Sequence, residues 1–189
     1  MDIGSAALVV VDMQNGFVNH HSRHAVPAVS DIIAQWSAAG RPVIFTRYFN
    51  YPGSSYERFF QWHRLQEPPE TDIVPELSEA AARSHKVIDK TGYTLFTPEA
   101  TELIRQAGWT ALVFCGIATE SCVLKSAADA FEYGYAPWIV TDASASDAGP
   151  DVHDAGLVVA RRLIGTSQLV TAADVVGQLA AYAGDPVLE

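Results

Sequence analysis

Apolar residues along this chain fall into short continuous runs, separated by longer stretches in which they recur every three or four positions. Unbroken runs rich in β-branched residues predict strands buried on both faces, and the helical recurrence predicts helices with one buried face. Residues 6–11, 42–47, 85–89, 111–115, 136–140 and 168–171 are of the first kind. Residues 26–39, 76–82, 98–106, 151–164 and 172–182 are of the second, and 184–189 read as a frayed tail. In the first helix Val29, Ile32, Ile33 and Trp36 share a face, and Gly40 ends it. Pro98 opens a later helix and Gly108 lies just past its end.

The stretch 111–124 organises the rest. Its strand ends at Gly116, and from Thr119, a candidate N-cap, the pattern is helical to about Tyr133, where Gly134 breaks it. Cys122, Val123, Ser126, Ala127 and Ala130 lie on one face, so Cys122 stands in the first turn. A thiol there feels the positive end of the helix dipole, which favours thiolate, and free N–H groups suited to an oxyanion. Taken alone, Cys122 reads equally as a small buried apolar residue, as Cys115 does at the end of its strand. The two lack the C-x-x-C spacing of a redox pair.

Strands alternating with helices predict one α/β domain over residues 1–189, a three-layer α/β/α sandwich around a mostly parallel, Rossmann-like sheet. Ligands of such sheets sit outside the carboxyl ends of the strands. Asp12 ends the first run, Lys90 follows the third, and the Cys122 turn follows the fourth. Separately, Asp12 reads as a turn or capping residue and Lys90 as a solvated cation. Three reactive groups on one edge form a candidate site. Residues 48–65 hold Tyr48, Phe49, Tyr51, Tyr56, Phe59, Phe60 and Trp62 in a predicted loop region; pocket lining, subunit interface and satellite core all fit them.

Composition narrows the function classes. Of 189 residues 49% are hydrophobic and 18% charged, as in an ordered globular protein, and the net charge of -10 argues against nucleic acid. Two cysteines do not make a disulfide scaffold, and neither a leader nor a membrane-length apolar run is visible, so a cytoplasmic protein is expected. His20, His21 and His24 cluster without a convincing ligand spacing, and no metal is expected. Asp142 and Asp147 read as turn stabilisers and His153 as a structural hydrogen-bonder.

Three motifs together resemble the isochorismatase-like cysteine hydrolases: Val9-Val-Val-Asp-Met-Gln-Asn-Gly-Phe17, Lys90 with Thr94 and Phe96, and Gly116-Ile-Ala-Thr-Glu-Ser-Cys-Val123. The resemblance covers nearly the whole chain. It implies a six-stranded parallel sheet, a catalytic triad of Asp12, Lys90 and Cys122, and a non-proline cis peptide between Ile117 and Ala118. It further implies hydrolysis of small amides, among them nicotinamide, N-carbamoyl and ureido compounds. Isochorismatases proper carry a small residue where this chain has Cys122, so the thiol favours amide hydrolysis. The zinc-bearing nicotinamidase branch has Thr-Arg-Asp-Trp-His where this chain reads Thr46-Arg-Tyr-Phe-Asn50, without the Asp and the His.

On this reading the chain is a hydrolase of an amide, carbamoyl, ureido or lactam C–N bond acting through a thioester and without a cofactor. Asp12 is the base, Lys90 its electrostatic partner and Cys122 the nucleophile. The N–H groups of Ala118 and Cys122 form the oxyanion hole, and Phe17, Tyr93, Ile117 and Trp62 wall the pocket. The rival readings are a catalytically idle binding member of the fold, a nicotinamidase, and a thiol redox protein using Cys115 and Cys122. The aromatic segment gives an expectation of a homodimer or higher homo-oligomer, and no membrane partner is expected.

Overall fold

The computed structural model describes residues 3–184, so most of the expected tail lies outside the described residues. Six strands form one sheet in the order β3-β2-β1-β4-β5-β6, every neighbouring pair parallel. They are β1 Ala6–Val11, β2 Val43–Tyr48, β3 Lys86–Lys90, β4 Ala111–Ile117, β5 Ala136–Ala145 and β6 Leu169–Val170. Seven α-helices flank them among the described residues: α1 Ala25–Ala38, α2 Ser55–Phe60, α3 Pro75–Ala82, α4 Pro98–Ala107, α5 Leu124–Glu132, α6 Pro150–Ile164 and α7 Ala172–Gly184.

Side-chain alternation along the strands explains the layers. Ala6, Leu8 and Val10 of β1 pack with Val29, Ile32 and Trp36 of α1, Leu77 of α3, and Val175 and Leu179 of α7. Ala7, Val9 and Val11 point the other way, into Ile104 of α4, Ala127 and Ala130 of α5, and Leu157 and Ala160 of α6. A strand covered on both faces has no polar side to show, which is why its sequence is an unbroken apolar run. Each buried Val, Leu or Ile among them contributes roughly 1.5–3 kcal/mol, and each alanine methyl less.

The strand order reverses beside β1, with β2 on one flank and β4 on the other, and a crevice opens at their carboxyl ends. Gly116 makes this approach possible. Its φ is 111°, and a Cβ there would meet the carbonyl oxygen of Val11 at 2.2 Å. No other residue fits.

Local departures from the sequence reading cluster near the crevice. β4 does not stop at Gly116 but runs to Ile117, pairing with Ser144 and Ala145 as β5 extends past residue 140. The Ile117–Ala118 peptide is cis, as the family resemblance implies, and is no departure. Thr119 is not a side-chain cap: Thr119–Val123 form one wide π-helical turn entered from Ala118, and α5 begins only at Leu124. The Thr119 hydroxyl instead lies 2.7 Å from Nδ1 of His153 on α6, which gives that histidine its structural partner. Residues 48–65, expected as a loop, contain α2. Ser54 caps it by accepting the Glu57 N–H at 3.2 Å, and the Glu57 carboxylate takes the N–H of Gly53 at 2.7 Å.

Candidate active site

Asp12, Lys90 and Cys122 come from three different strand ends and meet in the crevice. Asp12 stands one residue past β1 with φ 47°, a left-handed conformation that turns its carboxylate back toward β2. Thr46 of β2 fixes it there: the hydroxyl donates to Oδ1 at 2.6 Å and accepts the Asp12 N–H at 3.2 Å. Lys90, the last residue of β3, reaches past β2. Its Nζ donates to Asp12 Oδ2 at 2.6 Å, to the carbonyls of Gly92 and Tyr93 at 3.0 and 3.2 Å, and toward Cys122 Sγ at 3.4 Å. All three groups are buried.

Burial gives this cluster its electrostatics. It pulls the Lys90 ammonium down, but the neighbouring Asp12 and Cys122 outweigh it, and the pKa is raised overall. Burial pushes the Cys122 thiol up, the Asp12 carboxylate adds to this, and Lys90 opposes it without prevailing. The resting group is therefore a protonated thiol beside an ion pair. That direction is opposite to the pull toward thiolate that a helix N-terminus alone would give, and it leaves deprotonation to the reaction, where Asp12 is the expected base. Cys115 lies in the apolar core, where burial alone pushes its thiol up to about 12.

The thiol opens on a cavity of about 500 Å³ with aromatic walls. Phe17 stacks on Trp62 with centroids 6.1 Å apart, and Tyr56 meets both Tyr48 and Tyr93 edge-on at 5.2 Å. Phe60, Ala118, Glu120, Ser121, Asp147 and Ala148 complete the lining. Phe17, Tyr93 and Trp62 thus stand where the sequence reading put them. Ile117 does not: it is fully buried with Val113 and Cys115 on the α1 face of β4, and the wall begins one residue later at Ala118. A wider cleft of about 900 Å³ at the opposite end, lined by Arg41, Pro42, Arg83 and His85 among others, contains none of Asp12, Lys90 and Cys122.

Several residues of the site escaped the sequence reading. Thr46 looks like any β-former inside a buried strand. Gln14 sits in an ordinary turn motif, yet its buried amide donates to the carbonyls of Tyr48 and Thr71 and accepts the Tyr48 N–H, fixing the end of β2. Glu120 was visible within the Cys122 motif but had no assigned part. Asp147 was read as a turn former.

The residues of this chain do not fit the zinc site that a resemblance to the nicotinamidase branch implies. At the two positions where that branch's pattern has Asp and His stand Tyr48, whose phenol burial pushes up, and Asn50. The Asn50 amide is already committed: it donates to the Trp62 carbonyl and accepts from Tyr51 N–H and Ser54 Oγ. Among the described residues no three His, Cys, Asp or Glu side chains gather to hold an ion. His63 pairs with Glu57 at 3.1 Å.

The isochorismatase domain model matches residues 6–174, and the chain belongs to that family. It is 26% identical over 161 residues to nicotinamidase 3 of Arabidopsis thaliana, covering 81% of this chain and 79% of that one. It is 30% identical over 190 residues to a ureidoacrylate amidohydrolase of Pseudomonas savastanoi pv. phaseolicola, covering 80% and 74%. Its fold matches a cysteine hydrolase from Pseudomonas syringae pv. phaseolicola with a TM-score of 0.82 at 20% identity, over 96% of this chain and 95% of that one. N-carbamoylsarcosine amidase from Thermoplasma acidophilum superposes with a TM-score of 0.77 at 24% identity, over 89% and 96%. No helix among the described residues is long and apolar enough to cross a membrane.

Proposed function

We propose that the chain is a cysteine-dependent hydrolase of a small-molecule amide or related C–N bond, built as one hydrolase domain and working through a thioester. One observation carries this reading: Lys90 Nζ touches both Asp12 and Cys122 Sγ, with the thiol facing an aromatic cavity. The kinship to amidohydrolases and nicotinamidases supports the bond type.

As Cys122 Sγ attacks the amide carbonyl carbon, Asp12 takes the thiol proton. The developing oxyanion is held by the N–H groups of Ala118 and Cys122, both at the cavity wall. The C–N bond then breaks, its electron pair stays on nitrogen, and Asp12 returns the proton to the leaving amine. Water, deprotonated by Asp12, attacks the thioester. The acid departs, the C–S bond breaks, and the thiol recovers its proton from Asp12. Lys90 remains charged throughout and keeps the Asp12 carboxyl group aimed at the thiol.

Cys122→Ala tests this directly, since it removes the nucleophile and little volume. Turnover of a panel of primary amides, ureas and lactams, read by ammonia or amine release, is expected to fall below the detection limit while the fold survives by circular dichroism. Residual activity above about a tenth of wild type would sink the thioester.

We also propose self-association. The cavity claims Tyr48, Tyr56, Trp62 and part of Phe60, yet Phe59 and Phe60 of α2 remain 70% and 68% exposed. Sedimentation at micromolar concentration is expected to show a dimer, and a monomer alone would refute it.

A further inference from the structure

The cavity beside Cys122 is aromatic and carries acids without a base. Its two charged lining residues are Glu120 and Asp147, and among the described residues no Lys, Arg or His lines it. Lys90 lies beneath, its Nζ occupied by Asp12, two carbonyls and the thiol. Two groups outside the lining act on Asp147, Arg64 and His21, and Arg64 is paired with Glu70 at 2.8 Å. Glu120 Oε1 accepts from Ser146 Oγ at 2.9 Å, while its buried Oε2 has no partner.

We infer that this pocket selects substrates by charge, admitting an amide that bears an ammonium group and rejecting one that bears a carboxylate. The inference rests on the hydrolase reading above and names its substrate class. A substrate carboxylate would leave water to face Glu120 and Asp147 with no cationic donor in return, an uncompensated desolvation plus like-charge repulsion. An alkylated ammonium meets the opposite conditions. The faces of Phe17, Tyr48, Tyr56, Trp62 and Tyr93 attract a cation through their quadrupoles, and the two carboxylates supply the countercharge. The restriction is an exclusion as well as an attraction, so it separates this chain from amidases that act on ureido acids.

The test reads charge selection first without turnover. Cys122 in the wild-type protein is labelled at low salt with three methanethiosulfonates: the cationic 2-(trimethylammonium)ethyl, the neutral methyl and the anionic 2-sulfonatoethyl reagent. In each case the thiolate forms a mixed disulfide and methanesulfinate leaves. Rates are divided by those of the same reagents with 2-mercaptoethanol. The expected cation-to-anion ratio at Cys122 is at least tenfold, falling at least fivefold in Glu120→Gln/Asp147→Asn when each variant is scaled to its neutral-reagent rate. A wild-type ratio at or below one overturns the inference, whether or not the variant folds. Next, hexanamide, 6-(trimethylammonio)hexanamide and adipic acid monoamide are compared as substrates, with kcat/KM expected highest for the ammonium compound and lowest for the carboxylate. Hydrolysis of all three at equal kcat/KM refutes charge selection and leaves the hydrolase standing. Cation-selective labelling with no hydrolysis of any amide upholds charge selection and refutes the hydrolase.

Discussion

The Thr46 hydroxyl holds Asp12 from two sides at once, donating to Oδ1 at 2.6 Å and accepting the backbone N–H at 3.2 Å. Together with Lys90 on Oδ2, this leaves the buried carboxylate with one orientation. Hydrogen bonds to a charged group are worth about 1.5–3 kcal/mol. Thr46→Val keeps the shape and removes both bonds, so kcat is expected to drop by about 10-fold or more. Thr46→Ser should restore most of it. Unchanged kcat in the valine variant would show that Lys90 alone positions Asp12.

Asp12→Asn separates two things that a general base does. Loss of proton transfer should lower turnover by about 10²-fold or more. The effect on the thiol runs the other way. Burial and the Asp12 carboxylate both raise the Cys122 pKa, so removing the anion while Lys90 stays lets thiolate form at lower pH. The rate of Cys122 alkylation against pH is therefore expected to shift its midpoint downward while hydrolysis collapses. A midpoint that did not move would mean that Asp12 and the thiol are not coupled.

Much of this site was legible because strand ends are legible. Apolar runs with period-two faces locate β1, β3 and β4 within a residue or two, and their carboxyl ends bring Asp12, Lys90 and Cys122 to one edge. What stayed hidden depends on tertiary detail. Thr46 and Ile117 are both β-branched residues in buried strands, yet one anchors the base and the other only fills core. Which one faces the crevice follows from register and from where β4 ends, and β4 outran the break that Gly116 suggested. The aromatic segment divides in a similar way. Tyr48 reaches the cavity from the end of β2, whereas Tyr56 and Trp62 do so because a capped turn of helix folds them back over it.

Alkaline stability reports the buried thiols. Cys115 has its ordinary value of 9.0 pushed up to about 12 by burial, so the folded protein holds this proton more tightly than the unfolded chain. The resulting stability is complete below about pH 9 and is lost as pH climbs from there toward 12. Cys122 shifts in the same direction, and Lys90, also raised, joins only above its ordinary value of 10.5. The urea midpoint should hold steady up to about pH 9 and decline above it. Cys115→Ala is expected to be less stable at neutral pH because of the cavity, yet to decline less steeply in alkali. Parallel declines in the two proteins would place the titrating group elsewhere.

Metal removal addresses the relationship to nicotinamidases. A catalytic zinc needs about three protein ligands and an open position. Tyr48 is a poor candidate, since burial pushes its phenol up and keeps it protonated, and protonated phenol is not a zinc ligand. The Asn50 amide would have to abandon the Trp62 carbonyl, the Tyr51 N–H and the Ser54 hydroxyl that hold the turn before α2. His63 is drawn outward to Glu57. With nothing to anchor a pyridine nitrogen, nicotinamide is expected to be a weaker substrate than an alkyl amide of similar size. Exhaustive chelation should leave amide turnover intact, and elemental analysis of the purified protein should find less than a stoichiometric ion. Activity that vanished on chelation and returned with zinc would reverse this reading and make nicotinamide the first substrate to examine.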